Sequence, residues 1–217
     1  MELKFARTLE EQDAQLTLWG LARDPIIEAV IHAQSYYTQS TLLHPRGYQF
    51  ISAYAECGKR LRENFIPLGW KKCDLNNQTA IRHEGLMLRI APCNFDSATA
   101  DESRQPRNIS QKGFAASANT SDNEQLCLFG GGLPRVARNA AIPMLKGYTT
   151  LILAMNFEED FPKAEVSLPT KFENGRYTTF INRVPLLDGR RPRNEPIAPH
   201  QTNETFGEVE IPIREVS

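Results

Sequence analysis

Cysteine is scarce in these 217 residues, and Cys57, Cys73, Cys93 and Cys127 lie far apart with no Cys-x-x-Cys pair among them. A disulfide framework is therefore not expected, and the thiols read as small buried hydrophobes. An excess of charge is also missing: 25 Lys and Arg stand against 26 Asp and Glu, so no global field draws the chain to nucleic acid or membrane. Any such partner has to be met by local patches. No apolar run reaches the roughly 18 residues of a membrane span, and Met1-Glu2-Leu3-Lys4-Phe5 has no apolar core of signal-peptide length. The expectation is a cytoplasmic protein with no membrane partner. No serine sits in a Gly-x-Ser-x-Gly elbow and no cysteine carries a catalytic signature, which leaves nucleophilic catalysis without support.

What is present is organised around Gly147 to Leu187, which predicts a three-stranded antiparallel meander. In Tyr148–Phe157, Leu151, Leu153, Met155 and Phe157 alternate with Thr150, Ile152, Ala154 and Asn156, and two largely apolar faces imply an interior strand. A turn at Asp160-Phe161-Pro162-Lys163 leads to Ala164–Leu168, read as half-exposed because Glu165 and Ser167 alternate with Val166 and Leu168. Asn174-Gly175 supplies the positive φ angles of a type I′ turn between Lys171-Phe172 and Tyr177–Ile181.

The N-terminal third reads as helical. Thr8-Leu9-Glu10-Glu11 has the form of a capping box and opens a helix to about Ala22, with Leu9, Leu16 and Trp19 inward. Asp24 as N-cap and Pro25 at the first helical position start a second helix to about Gln39, apolar enough to be largely buried. A third, from Tyr48 to Phe65, presents Ile51, Tyr54, Gly58, Leu61 and Phe65 to the core, with Glu56–Arg60 and Lys59–Glu63 pairing outside. Trp70–Leu75 and Thr79–His83 then form a hairpin, and Leu86–Ile90 its continuation or a further strand, which Pro92 ends.

Asp96–Glu124 has almost no large apolar groups beyond Ile109 and Phe114 and predicts a long mobile loop, either functional or an insertion. Gln125–Phe129 is a short apolar strand candidate ahead of Gly130-Gly131-Gly132. Beyond Leu187 the chain is rich in arginine and proline and reads as extended, with Glu208–Val216 able to add an edge strand to this sheet or to a second copy's. The fold class expected is α+β: one domain over 1–217, with a helical part (1–68), a mostly antiparallel sheet part (69–187) and an extended tail (188–217).

Basic residues fall in three groups: Lys71 and Lys72 with Arg82, Arg135 with Arg138, and Arg183 with Arg190, Arg191 and Arg193. Brought together, such groups line a phosphate backbone; apart, they are solvated surface charge. The stretch Leu126–Arg138 places three glycines before a helix start, a setting for an anion, but it lacks the Gly-Lys-Ser/Thr ending of a nucleotide loop. Acids crowd Glu158, Glu159, Asp160 and Glu165, yet Ser167 stands where a restriction-type nuclease needs lysine, and neither a metal site nor a cofactor is expected. Glu28, His32 and Tyr36 share a helix face and His83-Glu84 a turn; the former reads as a polar seam between helices. The function expected is a non-catalytic binding or regulatory protein engaging a protein or nucleic acid through basic patches and the loop. The alternative is a metal-dependent nuclease or other phosphodiester hydrolase using Asp160.

Overall fold

The computed structural model describes residues 3–74, 78–128 and 147–191. Its described strands form one sheet in the order β1-β7-β6-β5-β4-β3-β2: β1 (Lys4–Phe5), β2 (Lys71–Cys73), β3 (Ala80–His83), β4 (Leu88–Asn94), β5 (Thr149–Asn156), β6 (Lys163–Glu173) and β7 (Arg176–Asp188). Pairing is antiparallel except for β4 with β5 and β1 with β7. Three helices, α1 (Leu9–Leu18), α2 (Arg23–Thr38) and α3 (Tyr48–Phe65), cover one face, and α4 (Phe114–Leu128) lies on the other. The α+β class and the C-terminal meander are as the sequence implies.

The capping box at Thr8 is complete: Thr8 accepts from the Glu11 N–H, and the Glu11 carboxylate accepts from the Thr8 N–H. α1 stops at Leu18, short of Ala22, because Gly20 takes φ +64° and lets the Leu21 N–H turn back to the Leu16 carbonyl. Leu9 points outward, not into the core, whereas Leu16 and Trp19 are fully buried. The N-cap of α2 is Ala22, not Asp24; Pro25 still falls in the first turn, where its missing N–H costs nothing. α2 buries one face only, through Ile26, Ala29, Val30 and Ala33.

The buried ladder of α3 is Ala53, Cys57, Gly58, Leu61 and Phe65, and Ile51 is 66% exposed where the core was expected. A small residue at this contact lets α3 approach the sheet closely: a Cβ on Gly58 would overlap the side chain of Thr79, just before β3. Outside, the charges pair as Lys59–Glu56 and Arg60–Glu63 at i, i+3, with Arg60 also reaching Glu28 on α2. The expected i, i+4 pairs give way to this bridge between helices.

Pro92 does not end β4. It pairs opposite Leu153, and β3 registers with β4 only as far as Ile90, so no strand lies on that side to need a proline N–H. β6 is buried on both faces, not half-exposed: Glu165 and Ser167 are completely buried. At the far end of the meander Asn174 and Gly175 take φ 50° and 78°, as the Asn-Gly turn requires.

The largest correction concerns 96–128. Its second half is α4, which also absorbs Gln125–Leu128 in place of a strand; Phe129 lies outside the described residues. α4 buries small and polar groups, Ala116, Thr120 and Asn123, and Asn123 hydrogen-bonds the Thr150 N–H and the carbonyls of Thr150 and Pro169. These hydrogen bonds to strand backbone leave no mark in the periodicity of the sequence. The first half is pinned, too. The Arg183 guanidinium donates to the carbonyls of Ala98, Asp101 and Arg104, and the Ala100 N–H donates to Glu165 at 2.7 Å.

Candidate functional site

Arg183 and Glu165 form a bidentate pair at 2.9 and 2.7 Å, both buried, and Ser167 donates to the same carboxylate at 2.6 Å. With its three loop carbonyls, every guanidinium N–H of Arg183 has an acceptor. Arg183 is thus a structural staple and no part of an exposed basic group. Glu165, one of the acids of the nuclease alternative, is committed to it, while Glu159 pairs with Lys163 at the turn. Among the described residues no three His, Cys, Asp or Glu side chains gather as a metal ion would need.

The hairpin group is together in space: Lys71 lies opposite Arg82 in the β2–β3 register. It is also answered by acids. Glu84 meets Lys71 at 2.7 Å and Arg82 at 3.3 Å, and Asp74 meets Lys72 at 3.1 Å and also Arg62. These contacts, chiefly the hydrogen bond from Lys71, lower the Glu84 pKa, and the hydrogen bond from Arg62 does the same for Asp74. Arg190 and Arg191 follow β7, five strand steps from β2 and at the opposite end of the strands, so roughly 30 Å separates the two groups. They occupy diagonal corners of the sheet. Arg135, Arg138 and Arg193, with the glycines at 130–132 and Glu208–Val216, lie outside the described residues.

At the β7 corner the fold adds what the sequence grouping omitted. Arg7, before α1, and Arg23, opening α2, join Arg190 and Arg191 around a cleft of about 520 Å³, with Gln12, Leu9 and Asp188 also lining it. Arg7 pairs with Glu102, Arg23 with Asp13 at 2.7 Å, and Arg190 with Asp188 at 3.7 Å, while Arg191 makes no ion pair among the described residues. Arg7 and Arg190 remain largely exposed. No local signal in the sequence could have joined positions 7 and 23 to 190; β1, running parallel to β7, does so.

The remaining candidates have structural partners. His32 contacts Glu56 at 3.2 Å and packs on Tyr36, and Glu28 binds Arg60 and Asn64, so this face is the polar seam between α2 and α3. The His83 ring accepts the Leu86 N–H at 3.1 Å and packs on Trp70. Burial pushes the thiols of Cys57 and Cys93 up, against nucleophilic use. Among the described residues no helix is long and apolar enough to cross a membrane. No protein-family model, curated protein or solved structure matches this chain.

Proposed function

We propose that this is a non-catalytic binding or regulatory protein whose arginine-lined cleft holds the phosphate backbone of a nucleic acid. The observation that carries the reading is the convergence of Arg7, Arg23, Arg190 and Arg191 on one open cleft. Guanidinium groups match phosphate oxygens in pairs, and their present carboxylate partners are exposed, so exchange for phosphate costs little. The Lys71–Arg82 hairpin, balanced by Glu84 and Asp74, is the weaker surface for the same chemistry.

The test is retention of labelled DNA and RNA across a salt series, with and without Mg²⁺ or Mn²⁺. Retention without cleavage is expected, with a log–log salt slope of about −2 to −4 for two to four phosphate contacts. Arg190→Ala with Arg191→Ala should weaken retention about tenfold or more and flatten the slope by about 2. Metal-dependent cleavage lost in Asp160→Ala would replace this reading with the hydrolase. Absence of retention even at low salt would leave a protein partner.

A further inference from the structure

A second arginine is buried in this fold, and unlike Arg183 it is nearly empty-handed. Arg89, 3% exposed, projects from β4 onto the face that α4 covers. Among the described residues its one hydrogen bond is to Gln78 Oε1 at a long 3.4 Å, and its Nε has no partner there. No carboxylate among the described residues pairs with it. A buried cation without a counter-charge is costly, since desolvation is neither offset by an ion pair nor by a full set of acceptors.

Two neighbours of Arg89 each keep an unused atom as well, although the Arg82 Nη2 donates to Glu84 at 3.3 Å. Across the sheet it registers with Arg82 on β3 and Thr150 on β5, and Arg82 Nε and Thr150 Oγ1 are likewise buried with no partner among the described residues. Three adjacent residues of one cross-strand row therefore each hold an unused polar atom. Buried polar groups are ordinarily hydrogen-bonded, so three such atoms side by side offer their bonding capacity to one incoming group. Above them, Asn119 of α4 donates to the same Gln78 oxygen at 2.9 Å, and both Gln78 and Asn119 are half-buried. Lys112 brings a further cation to this layer, 5.8 Å from the ring centre of Tyr54 and near Cys93.

We infer that the row Arg82–Arg89–Thr150, under Gln78 and Asn119, is a binding site for a phosphate group. The donors are guanidinium, hydroxyl and carboxamide N–H groups approaching from several directions, which suits a tetrahedral dianion better than a flat carboxylate. The phosphate is either free or the terminal phosphate of a nucleic acid. This site lies on another part of the sheet from the arginine cleft and does not rest on the cleft's reading.

Thermal unfolding and calorimetric titration of the full chain with inorganic phosphate, at constant ionic strength in chloride, test it. Phosphate should raise Tm saturably at low millimolar concentration, with acetate giving no comparable rise. Arg89→Met should leave Tm without phosphate unchanged or higher, because it removes an uncompensated charge, and should weaken phosphate binding at least tenfold. Thr150→Val, which keeps the side-chain shape, and Arg82→Met, at a half-exposed position, should each weaken it severalfold, so misfolding of one variant does not decide the matter. Oligonucleotides with a 5′-phosphate or a 5′-hydroxyl separate the two sources: tighter binding of the former assigns the nucleic-acid end, equal binding assigns free phosphate. The inference is overturned if phosphate stabilises no more than acetate, or if its effect persists in Arg89→Met and Arg82→Met. It is likewise overturned if Arg89→Met destabilises the protein while phosphate has no effect on the parent. Loss of nucleic-acid retention in the Arg190/Arg191 variant, with phosphate binding intact, would mark the two sites as separate.

Discussion

Two buried arginines show how the same residue type is put to opposite uses. Arg183 spends all five N–H groups on Glu165 and three loop carbonyls, while Arg89 has one long contact among the described residues. Arg183→Met should therefore destabilise by about 3–5 kcal/mol, because it strands the Glu165 charge. The double change Glu165→Leu with Arg183→Met should recover only part of this, since the carbonyls of Ala98, Asp101 and Arg104 and the Ala100 N–H stay unpaired. Urea denaturation decides it, and a double variant as stable as the parent would sink the staple argument. On the same loop, hydrogen bonds from Ser103, then Arg104, hold the Asp101 carboxyl down to about 2. A group depressed on folding favours the folded state above its unfolded pKa, near 4, and loses that contribution as pH falls toward 2. The Tm difference between the parent and Asp101→Asn should thus be constant above about pH 5 and vanish toward pH 2.

At the scale of elements, α4 is held in part by polar contacts to strand backbone, a kind of anchor the N-terminal helices use less. Asn123 is completely buried and its amide serves three backbone groups of β5 and β6. Asn123→Ala should cost about 2–4 kcal/mol, because a buried N–H and two carbonyls lose their partner. Hydrogen exchange at the Thr150 amide should accelerate accordingly; unchanged protection there would show that α4 docks by other means. The same polarity explains why this helix was illegible. Phe114–Asn123, two-thirds of the helix, reads Phe-Ala-Ala-Ser-Ala-Asn-Thr-Ser-Asp-Asn, a composition of loops, and the buried side chains described there are alanine, threonine and asparagine. The meander was legible for the converse reason, since alternation in Thr149–Asn156 and the Asn174-Gly175 turn are local signals that tertiary structure had no cause to override.

For the whole molecule, the sheet order keeps the Lys71–Arg82 hairpin and the Arg190–Arg191 corner diagonally apart. Sites that far apart with no shared partner act independently, so free-energy losses from Lys71→Ala and from Arg190→Ala with Arg191→Ala should add within about 0.5 kcal/mol in nucleic-acid retention. Marked non-additivity would mean that one ligand spans both corners. Period and turn chemistry, both properties of neighbours in the chain, determined by themselves the α+β class, the capping box at Thr8, the three N-terminal helices and the meander. Which arginines are surface and which are interior was decided only by the tertiary structure. Arg183 and Arg89 sit in strands whose burial depends on α4 and on the loop from Ala98 to Arg104, and the cleft joins Arg7 and Arg23 to Arg190 through a parallel pairing between the first strand and the last. Those relations link residues from about 20 to more than 180 positions apart, and a charge carries no local mark of the partner that folding will bring or withhold.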